Sequence, residues 1–72
     1  MTIAFNPDRL RSIASEKQGH KTATQIANHV GIDRGSVLRY LQGSRQPGVE
    51  RLHLIARAYE SDPSDLLTES AA

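Results

Sequence analysis

The chain has no cysteine, so neither a disulfide framework nor a thiolate metal site braces it. Tryptophan is absent, and Phe5, Tyr40 and Tyr59 are the whole aromatic set. A core drawn from Leu, Ile, Val and Ala suits packed helices better than a sandwich rich in aromatic and β-branched residues. No apolar run approaches the ~20 residues that span a bilayer. No signal-peptide pattern opens the chain either, so the expectation is a soluble cytoplasmic protein with no membrane partner. There is no glycine-rich phosphate loop, and no carboxylate stands in a recognisable pattern with a histidine or a nucleophile. His20, His29 and His53 lack the spacing of a metal site. A protein without catalysis, cofactor or metal is therefore expected.

What remains is 72 residues, 38% of them hydrophobic, which predicts one domain over 1–72 held by one modest apolar core. The net charge of +1 hides an asymmetry. Residues 1–47 carry seven Lys or Arg against three acids, whereas residues 48–72 carry two against five. A basic front half suits a polyanionic partner.

Punctuation divides the sequence into five short helical segments. Asn6–Pro7 reads as a cap and first helical residue, with Phe5 and Leu10 as a hydrophobic staple across it. Leu10, Ile13 and Ala14 share one face, and Gly19 ends that helix. Thr22 and Gln25 form a capping box for a second helix whose inward residues are Ile26, Ala27 and Val30. After Gly31, Asp33 caps a third helix with Val37, Tyr40 and Leu41 inward and Gly43 past its end. A Pro47 loop follows, and then Val49, Leu52, Ile55, Ala56 and Tyr59 recur at helical spacing. Asp62–Pro63 predicts a fifth helix ending near Leu67. No strand is expected, the ordered core is about 6–67, and residues 68–72 should fray. The predicted fold class is all-α, a compact five-helix domain.

Ala23–Gln42 is the informative stretch. Only Gly31, Ile32 and Asp33 join its two helices, which forces the steep crossing of a helix-turn-helix. Ala27 is small where the helices meet, and Gly31 supplies the positive φ that the turn needs.

The string TATQIANHVGIDRGSVLRYLQGSRQP (22–47), continued by LHLIARAY (52–59) and DPSDLL (62–67), resembles the lambda-repressor-like, Cro and XRE helix-turn-helix family. The resemblance implies a sequence-specific regulator of transcription whose recognition helix, residues 33–42, lies in the major groove of double-stranded DNA. The expected base readers are Arg34, Gly35, Ser36, Leu38 and Arg39. Leu38 suits a thymine methyl or closes the edge of the core. Gly35 stands inside the helix where relatives carry a reaching side chain, so either the backbone approaches DNA closely there or the position reads nothing. Expected phosphate contacts are Lys21, Thr22, Thr24, Gln42, Ser44 and Arg45. Relatives often place Gln where Ala23 stands, and the Gly19–Lys21 connection is one residue longer than usual. Lys21 either touches the DNA backbone or is simply solvated.

A homodimer on a pseudo-palindromic operator is expected, with Leu54, Leu66 and Leu67 as its interface. An antitoxin bound to a toxin partner and the DNA-binding domain of a longer repressor are the alternatives. The Met1 start and polar tail favour a complete small protein over the latter.

Overall fold

The computed structural model describes residues 2–70. α1 (Pro7–Gln18) begins where the Asn6 side chain accepts the Asp8 N–H at 2.9 Å, with Pro7 at the first helical position. It ends at Gly19, and the next N–H, that of His20, bonds back to the Ala14 carbonyl at 3.1 Å. α2 (Ala23–Val30) carries the full capping box of Thr22 and Gln25. α3 (Arg34–Gln42) is capped by Asp33, and α4 (Val49–Ala58) starts after Gly48 without a side-chain cap. Among the described residues no helix is long and apolar enough to cross a membrane.

The fifth predicted helix is instead a single 3-10 turn, Pro63–Leu66. Its capping box, Asp62 with Asp65, is the signal an α-helix would also show. Four residues on, however, Leu67 is already extended at φ −109° and ψ 150°, so the turn tightens rather than propagates. The absence of strands is corrected too. β1 (Thr2–Phe5) pairs antiparallel with β2 (Leu67–Ser70), joining the two ends of the described chain. Residues 68–70 are thus ordered rather than frayed, and the order extends beyond the expected 6–67; residues 71–72 lie outside the described residues. Asn6 extends the pairing, donating its N–H to the Leu66 carbonyl at 2.8 Å and its amide to Thr68 Oγ1 at 2.8 Å. Strands of four residues are too short to show a period of two in sequence.

The helical faces converge on one core, closed by Phe5, Leu10, Tyr59 and Leu66. Phe5 packs edge-on against the Tyr40 ring at 6.3 Å between centroids, so β1 rests directly on α3. Two placements differ from the expectation from sequence. Val49, expected inward, is 73% exposed at the first position of α4, where the face turned to the core begins only at Leu52. Leu66, expected at a dimer interface, is 0% exposed and sits at the centre of the core, while Leu67 packs partly against it. Leu54, at 43% exposed, is the member of that trio presenting substantial surface.

Two outcomes follow. Leu66→Ala should cost about 2–5 kcal/mol of unfolding free energy, as expected for a truncated core leucine. Denaturant titration at two protein concentrations checks this; a loss appearing only at the lower concentration would return Leu66 to an interface. The second concerns acid. The Ser36 N–H and then the Ser36 hydroxyl hold Asp33 below its ordinary 3.8, as the Ser64 N–H and hydroxyl do for Asp62. Carboxyls depressed by folding contribute stability above their unfolded pKa and lose it as pH falls through the folded one. Stability should therefore drop on acidification below about pH 4, and less steeply in an Asp33→Asn, Asp62→Asn double variant. Parallel acid profiles for the two proteins would contradict this.

Candidate nucleic-acid interface

α2 and α3 are joined by three residues, and the turn depends on Gly31, whose φ of 88° is open to glycine and strained for side chains. The Gly31 and Ile32 N–H groups both bond the Ala27 carbonyl, at 2.8 and 3.2 Å, closing α2 as the chain swings away. Ala27 is buried at the crossing, where a larger residue would hold the helices apart. With Val37, Tyr40 and Leu41 turned into the core, Arg34, Gly35, Arg39 and Gln42 are left exposed on α3 and Leu38 half-buried. Among the described residues, Arg34, Arg39 and Arg45 form no ion pair; the two pairs present are Arg11–Asp8 and Arg51–Asp33.

Ser36 sits differently from the other expected base readers. Its Oγ donates to Asp33 Oδ1 at 2.9 Å and its N–H donates to Oδ2 at 2.8 Å. The hydroxyl proton is thus committed to the cap, which leaves Ser36 lone pairs alone to offer a partner. Asp33 also lies 3.7 Å from Arg51, which ties the start of α3 to α4.

Beyond α3, the chain folds over the helix end. The Ser44 and Arg45 N–H groups reach the Arg39 carbonyl at 3.1 and 3.4 Å, and Ser44 Oγ donates to the same oxygen at 3.3 Å. Arg45 stays exposed and shares a polar cleft of about 180 Å³ with Ser36, Gln46 and Arg51. Sequence reasoning missed Arg51 as a site residue. Its signal in sequence, a cation in the first turn after a Pro–Gly loop, is too common to single it out.

At the other end of the motif, Thr22 Oγ1 accepts the Gln25 N–H at 3.2 Å, while Gln25 Oε1 accepts the Lys21 and Thr22 N–H groups at 2.8 and 3.3 Å. The Thr22 hydroxyl proton remains free to donate, and Lys21 and Thr24 are exposed. Ala23 is half-buried and packs on the core, so the first helical residue contributes no polar group outward. Lys21 opens onto a second cleft, of about 240 Å³, which also draws in Arg11 and His20.

A family model described as a helix-turn-helix domain matches residues 8–68. No curated protein and no solved structure matches the chain.

Gly35 yields a direct test of local energetics. A Cβ built there would meet only Asp33 Oδ2, at 3.4 Å, an ordinary contact. Gly35→Ala should therefore raise stability by about 1 kcal/mol, the usual helix-interior difference between these residues. Thermal unfolding reads this directly, and a lower melting temperature in the variant would show that the space is tighter than its geometry.

Proposed function

The chain belongs to the helix-turn-helix domain family, and we propose that it is a sequence-specific, double-stranded DNA-binding regulator of transcription rather than an enzyme. One observation carries the reading: α3 buries one face completely and presents two arginines, free of ion pairs among the described residues, on the other. An exposed guanidinium without a carboxylate keeps its planar fork available, and that fork matches the O6 and N7 acceptors of guanine in the major groove.

In this reading α3 enters the major groove. Arg34 and Arg39 read base edges, and Leu38 meets a thymine methyl with the part of its side chain left outside the core. Gly35 admits the backbone closely, and Ser36 can only accept a hydrogen bond, its proton being held by Asp33. Lys21, Thr22 and Thr24 at the start of α2, and Gln42, Ser44 and Arg45 past the end of α3, fix the register on the phosphates. A homodimer would set two copies of α3 ~34 Å apart, one turn of DNA, on a pseudo-palindromic operator. Leu54, on α4, is the apolar residue proposed for that contact.

The division of labour between two arginines is open to direct test. A bidentate base contact discriminates by ~1–3 kcal/mol, while a phosphate contact weakens all sequences alike and changes the salt slope by about one. Arg39→Ala should relax preference at one or two base pairs and leave nonspecific affinity nearly intact. Arg45→Ala should lower specific and nonspecific affinity together without changing the preferred sequence. Both are measured on a site selected from random DNA and on its single-base variants. Uniform loss across those sites for Arg39→Ala would make it a phosphate contact.

A further inference from the structure

His20 and His29 are nine positions apart and share no metal or catalytic spacing, yet the fold brings their rings to 5.1 Å between centroids. Between them and the core lies Tyr59, 1% exposed. Its hydroxyl is 2.9 Å from His20 Nδ1, and its ring contacts both imidazoles, at 5.8 Å and 4.7 Å. His29 is fixed separately, its Nε2–H donating to the Ala58 carbonyl at 2.6 Å. Burial pushes the Tyr59 hydroxyl up to about 12, so it keeps its proton through the physiological range and donates it to Nδ1. Neutral His20 then carries its own proton on Nε2, which has no protein partner among the described residues.

His20 lines the 240 Å³ cleft between α1, α2 and the end of α3, together with Arg11, Ser15 and Lys21 over an apolar floor of Ile26 and Leu41. No carboxylate is among these lining residues. Arg11 is held in place, donating to the Leu41 carbonyl at 3.1 Å while Asp8 sits 3.5 Å from its other nitrogen. The ionisable groups around His20 are thus Arg11 from α1, Lys21 from the connection, His29 from α2 and Tyr59 after α4. The first three add positive charge, or can; the one carboxylate paired with them, Asp8 beside Arg11, lies outside the cleft lining, and Lys21 and His20 have no carboxylate partner among the described residues. Such a cluster is stabilised by an anion from outside, and it adjoins the start of α2, already assigned to phosphate contact.

We propose that His20 is a pH-dependent contact for a DNA backbone phosphate, completing with Lys21 and Arg11 a cationic cleft at the start of α2. The proposal rests on the DNA-binding reading and adds a regulatory property to it. At neutral pH Nε2–H donates to the phosphate as a neutral group. On acidification Nδ1 gains a proton, the Tyr59 O–H rotates off it so that the hydroxyl oxygen accepts the new Nδ1–H, and the phosphate then faces a third positive group. The phosphate favours the imidazolium, so DNA binding draws a proton onto His20, and affinity must rise as pH falls through the imidazole range.

The test uses the full chain and a duplex carrying its selected site, with binding followed by fluorescence anisotropy at constant ionic strength from about pH 8 to about pH 5.5. Wild type should bind up to about tenfold tighter per protomer at the acid end, as it must if His20 holds its proton about tenfold more tightly in the complex than in the free protein. Its slope of log affinity against log salt should steepen by about one per protomer, for one more neutralised phosphate. His20→Gln keeps an N–H donor but cannot titrate, so both changes should vanish. His29→Gln should retain them. If His20→Gln does not fold, NMR titration of the His20 ring in wild type, free and DNA-bound, decides in its place: a higher midpoint in the complex supports the proposal and an unchanged one overturns it. A flat pH profile with DNA binding intact, or one that survives in His20→Gln, overturns this inference and leaves the DNA-binding reading standing. No binding at any pH removes both.

Discussion

α3 is nine residues long, about two and a half turns, and a helix that short does not persist in water by its own hydrogen bonds. It exists because Val37, Tyr40 and Leu41 are buried against α2 and the rest of the core, and because Asp33 and Gly43 close its two ends. That constraint organises everything else. Burying one face completely fixes which residues are left on the other, and it fixes them on a rigid surface. Tyr40 extends the dependence outward: its ring meets Phe5, so the short strand pair joining the chain ends also supports the helix that presents Arg34 and Arg39.

Charge is arranged around this frame with little internal cancellation. The first 47 residues hold most of the cations: Arg9, Arg11 and Lys17 lie on α1, while Lys21, Arg34, Arg39 and Arg45 lie on or beside α2 and α3 and, among the described residues, form no ion pair. The carboxylates that do engage are used locally. Asp33 and Asp62 cap helical turns, and Asp33 also reaches Arg51. A surface whose exposed arginines on α3 lack carboxylate partners suits an external polyanion, and in the proposed complex the release of that polyanion's own counter-ions would supply much of the binding free energy.

Helix boundaries were legible in the sequence wherever a cap and a stop bracketed a periodic stretch. Asn6–Pro7, the Thr22–Gln25 box, Asp33, Gly31 and Gly43 each do in the structure what their chemistry demands. What escaped was information that local chemistry does not contain. Asp62–Pro63 signals a helical start but not its length, and a 3-10 turn and an α-helix begin alike. Two four-residue strands at opposite ends of the chain reveal themselves only when paired. Val49 follows the helical period yet is the first residue of α4, and the buried face of that helix begins at Leu52. Leu66 and Leu67 are adjacent and chemically alike, and only the fold distinguishes the one at the centre from the one at its margin. The exposed surface of α3 was readable because period and burial agree there. The grouping of His20, His29 and Tyr59 was not, since it joins three elements that no motif links.

The central claim is that this exposed, cationic face of a buried-backed helix binds duplex DNA. It is tested most directly by titrating the folded chain onto double-stranded DNA over a series of salt concentrations. Binding should be tight at low salt, and log affinity should fall linearly with log salt, with a slope matching roughly four to eight phosphate contacts for the proposed dimer. A folded protein that shows no affinity for duplex DNA at low salt would contradict it.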